Sequence, residues 1–180
     1  ALESAEADAY WTRVLSDRPS TELPRWHPRF NAPAGPRMRA VRLPLPPEVF
    51  HGLKELSRTA ALPFKSLLLA AHLKALTLLS GQPEVVSGLT LNGRLEESGG
   101  DQVRGLFLNI LPLRFRIESA SWLDLARAVV AAEAEVLPFR RYPFAVLQRK
   151  WGDTPPLYEV AFNFIHFHIV RDLVRSGSLE

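Results

Sequence analysis

Five histidines are the first side chains to weigh for chemistry in this 180-residue sequence: His27, His51, His72, His166 and His168. Only the last two are close together. Alternate residues of a strand share a face, so His166 and His168 have a spacing that binds a metal if a third ligand arrives from elsewhere. No other His, Asp or Glu supplies an obvious third ligand, and two imidazoles solvated or hydrogen-bonded at a strand end fit the same spacing. A small hydrolase using this pair is one function class the sequence leaves open. His72 lies inside an apolar stretch, where a lone histidine reads as a satisfied core or interface residue.

Other common sources of chemistry are missing. The nucleophile elbow Gly-x-Ser-x-Gly, which exposes a serine hydroxyl on a sharp turn, does not occur. Neither Gly-x-Gly-x-x-Gly nor a Lys-Ser/Thr phosphate loop is present, and Gly99-Gly100 sit in a polar loop. Glu96, Glu97 and Asp101 share that loop and read as solvated charge. There are no cysteines, which removes disulfides, thiolate nucleophiles and Cys-type zinc sites together. The 22 Lys and Arg nearly balance 19 Asp and Glu, with no basic tract of the kind that binds nucleic acid. The most apolar segment, Ser66 to Leu79, is broken by His72 and Lys74 and falls short of the roughly 20 residues a membrane span needs.

The elements that must position these residues follow from periodicity. Tyr10, Trp11, Val14 and Leu15 mark a helix behind the acidic stretch Glu3 to Asp8, ended by Pro19. Eight of the 15 prolines fall between Ser16 and Pro47, so this stretch is expected to be extended loop. Within it, residues 38–43 alternate as a short strand, Met38, Ala40 and Arg42 against Arg39, Val41 and Leu43. Pro46-Pro47-Glu48 starts a helix to about Ala60 whose Val49, Leu53 and Leu56 form a stripe expected to be buried. Pro63 opens a second helix, Phe64 to Leu79, apolar on most sides and therefore the expected core helix, ended by Gly81.

Glu84 to Leu91 reads as a strand. A polar loop from Asn92 to Gln102 leads to a second, expected over Val103 to Ile117, in which Leu111, Leu113, Phe115 and Ile117 alternate with Pro112, Arg114 and Glu118. Ser121-x-x-Asp124 caps a helix to about Leu137, stopped by Pro138, and a short helix runs from Pro143 to about Trp151. Leu157 to Val170 reads as a long strand, apolar on both faces and expected to be interior. The order predicts an α/β fold, a two-layer mixed sheet with helices packed on it. Asn109 stands out, because an amide inside an apolar strand is costly unless it is bonded.

Gly105 to Arg114, GLFLNILPLR, resembles the Gly-x-Phe-x-Asn-Thr-x-Pro-x-Arg motif of condensation domains of nonribosomal peptide synthetases. Gly88-Leu-Thr-Leu-Asn-Gly-Arg94 resembles the strand and Gly-Arg before that motif, and Tyr10-Trp11 the Tyr-Trp helix further upstream. Tyr142-Pro143-Phe144 resembles the Pro-Phe motif, and 153–163 the segment ending in Phe-Asn. Ile110 stands where the family has Thr, Phe139-Arg140-Arg141 where it has His/Asn-Gln-Asp, and Ala145 where it has Glu. The Arg-rich part of the last motif is shortened. The family's catalytic His-His-x-x-x-Asp-Gly is not in this sequence.

The resemblance implies a chloramphenicol-acetyltransferase-like (CoA-dependent-acyltransferase-like) lobe, with residues 1–175 the C-terminal lobe of a condensation domain and 176–180 a tag remnant or linker. The intact domain would be a cytoplasmic enzyme joining a carrier-bound acyl thioester to the amine of a carrier-bound acceptor. The lobe itself would be silent, holding no cofactor and meeting only the phosphopantetheine arms of donor and acceptor carrier domains. Its expected partners are those carriers and the N-terminal lobe, with no nucleic acid, no membrane and a possible dimer through the exposed interlobe face. On that implication Asn109 faces the substrate tunnel or holds its strand in register, and one of Ser87 and Thr90 faces the acceptor amine. Arg94 and Arg114 are interlobe, carrier-facing or plain surface charges. A noncatalytic domain that docks carriers or tailoring enzymes, or an epimerisation or heterocyclisation relative, are the alternatives.

Overall fold

The computed structural model describes residues 4–25 and 38–165, apart from 95, 98, 101, 119, 120 and 153–155. Helix α1 (Ala5–Leu15) begins where the Ser4 hydroxyl accepts the Ala7 amide. After the Pro-rich stretch come α2 (Pro47–Thr59) and α3 (Phe64–Ser80), the latter closed by Gly81 in the left-handed conformation at φ 70°. Strands β1 (Glu84–Asn92) and β2 (Leu108–Arg116) follow. Helix α4 (Trp122–Val136) starts where the Ser121 hydroxyl accepts the Asp124 amide, the expected cap. A 3-10 turn (Leu137–Phe139), α5 (Phe144–Trp151) and β3 (Ala161–Phe162) complete the described elements.

The sheet is mixed, in the order β2-β1-β3, with β1 antiparallel to β2 and parallel to β3. Cross-strand partners share a face, so the register sorts the side chains. Val85, Ser87, Leu89 and Leu91 of β1 stand with Asn109, Leu111, Leu113 and Phe115 of β2 on the face that packs against α3 and α4. There the core closes around Leu69, Leu73, Val129 and Trp11, all fully buried. Val86, Gly88, Thr90, Ile110, Pro112 and Arg114 occupy the opposite face. Residues 17–25 run past that face from β2 towards β3: Asp17 pairs with Arg114, Thr21 Oγ1 accepts the Val86 amide and the Leu23 amide donates to Glu159.

Four expectations are corrected. Residues 38–43 form no strand; they have no regular secondary structure and are exposed, with no neighbouring strand paired to them among the described residues. The stripe of α2 is only partly covered: Leu53 packs half-buried against the core, whereas Val49 and Leu56 are exposed, because nothing in the described part packs on the helix's outer side. Strand β2 starts at Leu108 rather than Val103, since arginine contacts hold 103–107 as loop. Within 157–165 only Ala161 and Phe162 pair, and β3 is an edge while β1 is the interior strand. His166, His168, Asp101 and residues 176–180 lie outside the described residues. Among the described residues no single helix is long and apolar enough to cross a membrane.

Candidate functional site

The face of the sheet opposite α3 and α4 opens towards the end where β1 finishes and β2 begins. Pro112 and Val86 are fully buried, whereas Ile110 is 40% and Leu108 60% exposed. Gly88 and Tyr158 mark the boundary. A β-carbon on residue 88 would stand 2.6 Å from Cε2 of the Tyr158 ring, so only glycine lets that ring settle on β1. The Tyr158 hydroxyl reaches across and donates to the Ile110 carbonyl at 3.2 Å, and Phe144 packs beside the ring. Burial pushes the Tyr158 phenol above its ordinary pKa, which keeps it a donor.

The register separates the two hydroxyls that were left as alternatives. Ser87 is on the helix side, where its Oγ lies 2.8 Å from His72 Nε2 and 3.2 Å from the Val160 carbonyl. With both neighbours taken, Ser87 is a buried link between α3, β1 and the chain before β3. Burial pushes the His72 pKa down, so the imidazole is neutral at pH 7, and its ring also meets Phe162. Thr90 is on the open face, and its Oγ1 is buried with no hydrogen-bond partner among the described residues.

Asn109, the costly amide, is satisfied: Nδ2 donates to the carbonyls of Arg140 (3.1 Å) and Tyr142 (2.8 Å). It thereby straps the start of β2 to the turn before α5. That turn returns the contact through its arginines. Arg140 Nε donates to the Asn92 carbonyl and Nη2 to Glu96, while Arg141 donates to the carbonyls of Gly93 and Arg94. Arg94 in turn donates to the carbonyls of Gly100 and Val103 and lies 4.5 Å from the centre of the Phe107 ring. Gly93, Phe107, Asn109, Arg140, Arg141 and Pro143 line a cleft of about 420 Å³ at this end.

Arg114 is tied at the opposite end. Its Nε donates to Glu84 at 2.9 Å and its Nη1 to Asp17 at 2.6 Å and to the Val14 carbonyl. The guanidinium therefore joins α1 to both strands. The Arg114 hydrogen bond, helped by the charges of Arg114 and Arg116 and partly opposed by burial, holds the Glu84 carboxyl below its usual range. Sequence reasoning missed the pairing of His72 with Ser87, the seat of Tyr158 on Gly88 and the Arg140 and Arg141 clamps. Only the second had a signal, a glycine in the middle of a strand.

What the arrangement belongs to is settled by comparison. The family model "Condensation domain" matches residues 2–170. This chain belongs to the condensation-domain family. The AMB antimetabolite synthetase AmbE of Pseudomonas aeruginosa is 40% identical over 174 residues, 93% of this chain and 8% of that protein. Malpibaldin synthetase of Mortierella alpina is 29% identical over 168 residues, 92% of this chain and 3% of that protein. Among solved structures, the first condensation domain of the CDA synthetase superposes with a TM-score of 0.72 at 22% identity, over 90% of this chain and 35% of that one, a likeness of fold. The condensation domain from the Monacolin K polyketide synthase MokA gives 0.66 at 27% identity, over 84% of this chain and 37% of that one. The chain thus spans about a third of the solved condensation-domain chains and under a tenth of these two synthetases. The expected α/β fold, a mixed sheet with helices packed on it, is the fold observed.

Proposed function

We propose that this chain forms the C-terminal lobe of a cytoplasmic condensation domain that makes an amide bond. The donor is an acyl or peptidyl group held as a thioester on one carrier's phosphopantetheine arm, and the acceptor is the amine of an aminoacyl group held on another. The family match across residues 2–170 carries this reading. The amine nitrogen attacks the thioester carbonyl, the C–N bond forms, the C–S bond breaks and the proton lost by the amine ends on the departing thiolate. Such a step is helped chiefly by alignment and by managing the proton. The residues around the open face suit alignment. Thr90 and Ile110 present that face as one tunnel wall, and Tyr158 braces it. Asn109 fixes the register of the strand behind it. Arg94, Arg140 and Arg141 hold the loop at the cleft mouth.

On this reading Thr90, not Ser87, is the tunnel-side hydroxyl with a hydrogen bond still to make, because Ser87 already has His72 and Val160 as partners, whereas the buried Thr90 Oγ1 has none among the described residues. The test is the complete synthetase with loaded carriers, followed by mass spectrometry of the carrier-bound product. Thr90→Val is expected to lower turnover about 10-fold while leaving folding intact, the loss of one hydrogen bond of ordinary strength. Unchanged turnover in Thr90→Val together with a loss in Ser87→Ala would reverse the assignment. Docking of a carrier without any amide formation, by a wild-type synthetase whose carriers are verifiably loaded, would favour the noncatalytic docking reading.

A further inference from the structure

We infer that His72, on the helix side of the sheet, is a positioning residue for the opposite face: through Ser87 it holds the carbonyl of Val160 and so seats Tyr158 on Gly88, where that ring braces the proposed tunnel wall. The count of hydrogens comes first. The fully buried Ser87 has one hydroxyl hydrogen and two neighbours, His72 Nε2 at 2.8 Å and the Val160 carbonyl at 3.2 Å. A carbonyl only accepts, so the serine hydrogen goes to Val160 and the shorter contact requires His72 Nε2 to donate. The neutral imidazole therefore carries its proton on Nε2 and leaves Nδ1 bare.

The carbonyl at the end of this relay anchors the edge of the sheet. Strand β3 has only two residues, Ala161 and Phe162, so its ladder with β1 is short. Val160, just before it, accepts the Gly88 amide at 2.8 Å as well as the Ser87 hydroxyl, which fills both lone pairs of one oxygen. The His72 ring also lies against Phe162, with ring centres 5.4 Å apart. One side chain of α3 thus reaches the residues on both sides of Ala161.

Two residues upstream, Tyr158 stands on the other face. Its ring takes the space above Gly88, and its hydroxyl donates to the Ile110 carbonyl. Gly88 is gripped twice by the same short segment, through the backbone of Val160 and through the ring of Tyr158. Only Glu159 lies between them, itself held by the Leu23 amide, so a shift of Val160 along β1 carries the ring with it. The wall that a substrate would meet is set from behind, by a histidine on the core helix.

The kinetic arm of the test rests on the proposed amide-forming role; the spectroscopic arm does not. Nitrogen NMR of the complete condensation domain with nitrogen-labelled histidine, His72→Gln identifying the signal, is expected to show the His72 proton on Nε2, and a proton on Nδ1 overturns the inference. His72→Phe keeps a ring against Phe162 and removes the donor. In that variant the Gly88 amide, which shares the Val160 acceptor, is expected to exchange about 10-fold faster than in the wild type, and unchanged exchange overturns the inference. In the complete synthetase with loaded carriers, His72→Phe is expected to lower turnover on the order of 10-fold, the scale of a small misplacement. His72→Gln, whose amide is a donor of similar reach, is expected to recover most of that loss. Where Tyr158→Ala has already removed the ring to be seated, adding His72→Phe is expected to lower turnover no further. Wild-type turnover in His72→Phe, no recovery in His72→Gln or additive losses in the double variant overturns the inference. If His72→Phe does not fold, the wild-type ring spectrum and the turnover of His72→Gln still decide it. A wild-type synthetase that makes no amide sinks the proposed activity alone, and the ring spectrum and Gly88 exchange then decide this inference.

Discussion

The ring of Tyr158 occupies the space that a side chain on residue 88 would need. A β-carbon there would lie within 2.9 Å of three ring atoms, and the ring's hydroxyl is anchored at the far side by the Ile110 carbonyl. One glycine thus lets a side chain from beyond α5 span the sheet from β1 to the β2 edge, which shapes the open face. Gly88→Ala is expected to destabilise the fold by about 1–3 kcal/mol, the usual range for over-packing. Chemical denaturation of Gly88→Ala, Tyr158→Ala and the double variant should show strong coupling, with Gly88→Ala nearly neutral once the ring is gone. Additive effects would mean the contact is not the reason for the glycine.

Asn109 supplies both hydrogen bonds that tie β2 to the turn before α5. Asn109→Ala is expected to cost about 1–3 kcal/mol, because two backbone carbonyls lose their donor. Asn109→Asp should be worse at pH 7, where a carboxylate would face the Arg140 and Tyr142 carbonyls with no proton to offer. If denaturation midpoints of both variants match the wild type, the amide is not a strap between β2 and that turn.

Ala61 has φ 52°, the one non-glycine residue in the left-handed region among those described, at the hinge between α2 and α3. Its neighbours lock it there: the Leu62 amide donates to the Ser57 carbonyl and the Ser57 hydroxyl to the Leu62 carbonyl. Left-handed backbone costs an L-residue about 1 kcal/mol and glycine almost nothing. Ala61→Gly is therefore expected to raise stability by up to about 1 kcal/mol, read as a higher denaturation midpoint; a lower midpoint would show that the hinge is unstrained.

The ion-paired Glu84 gives stability a pH dependence with a definite sign. Its folded pKa lies below the ordinary value of 4.5, so the Glu84–Arg114 contribution is complete above about that pH and is lost as the pH falls through the lower folded value. Unfolding curves between pH 6 and pH 3 should show the wild type losing stability more steeply than Glu84→Gln. Equal slopes would mean that the pair adds nothing to the fold.

Most of the frame was legible in the residues, because it rests on local rules. Ser121 caps α4 as its spacing with Asp124 requires, Gly81 ends α3, and Leu111, Leu113 and Phe115 face the core as alternation dictates. What was not legible depends on partners distant in sequence. Val49 and Leu56 have the pattern of a buried stripe, yet a pattern records only that a face is apolar and not whether its cover belongs to this stretch of chain. Arg140 and Arg141 are unreadable for another reason, since their targets are backbone carbonyls, which every residue has. The choice between Ser87 and Thr90 needed the register with β2, which placed His72 against one and left the buried hydroxyl of the other without a hydrogen-bond partner among the described residues.

The central claim is that this chain is one side of a cleft whose reactants are brought to it by carriers and whose proton-handling histidines lie elsewhere. It is tested most directly by mixing loaded donor and acceptor carrier proteins with the 180-residue chain alone and, in parallel, with the complete condensation domain, and weighing the acceptor carrier by mass spectrometry. The expected result is amide product from the complete domain and none above background from the chain alone. Amide formation by the chain alone would contradict the claim.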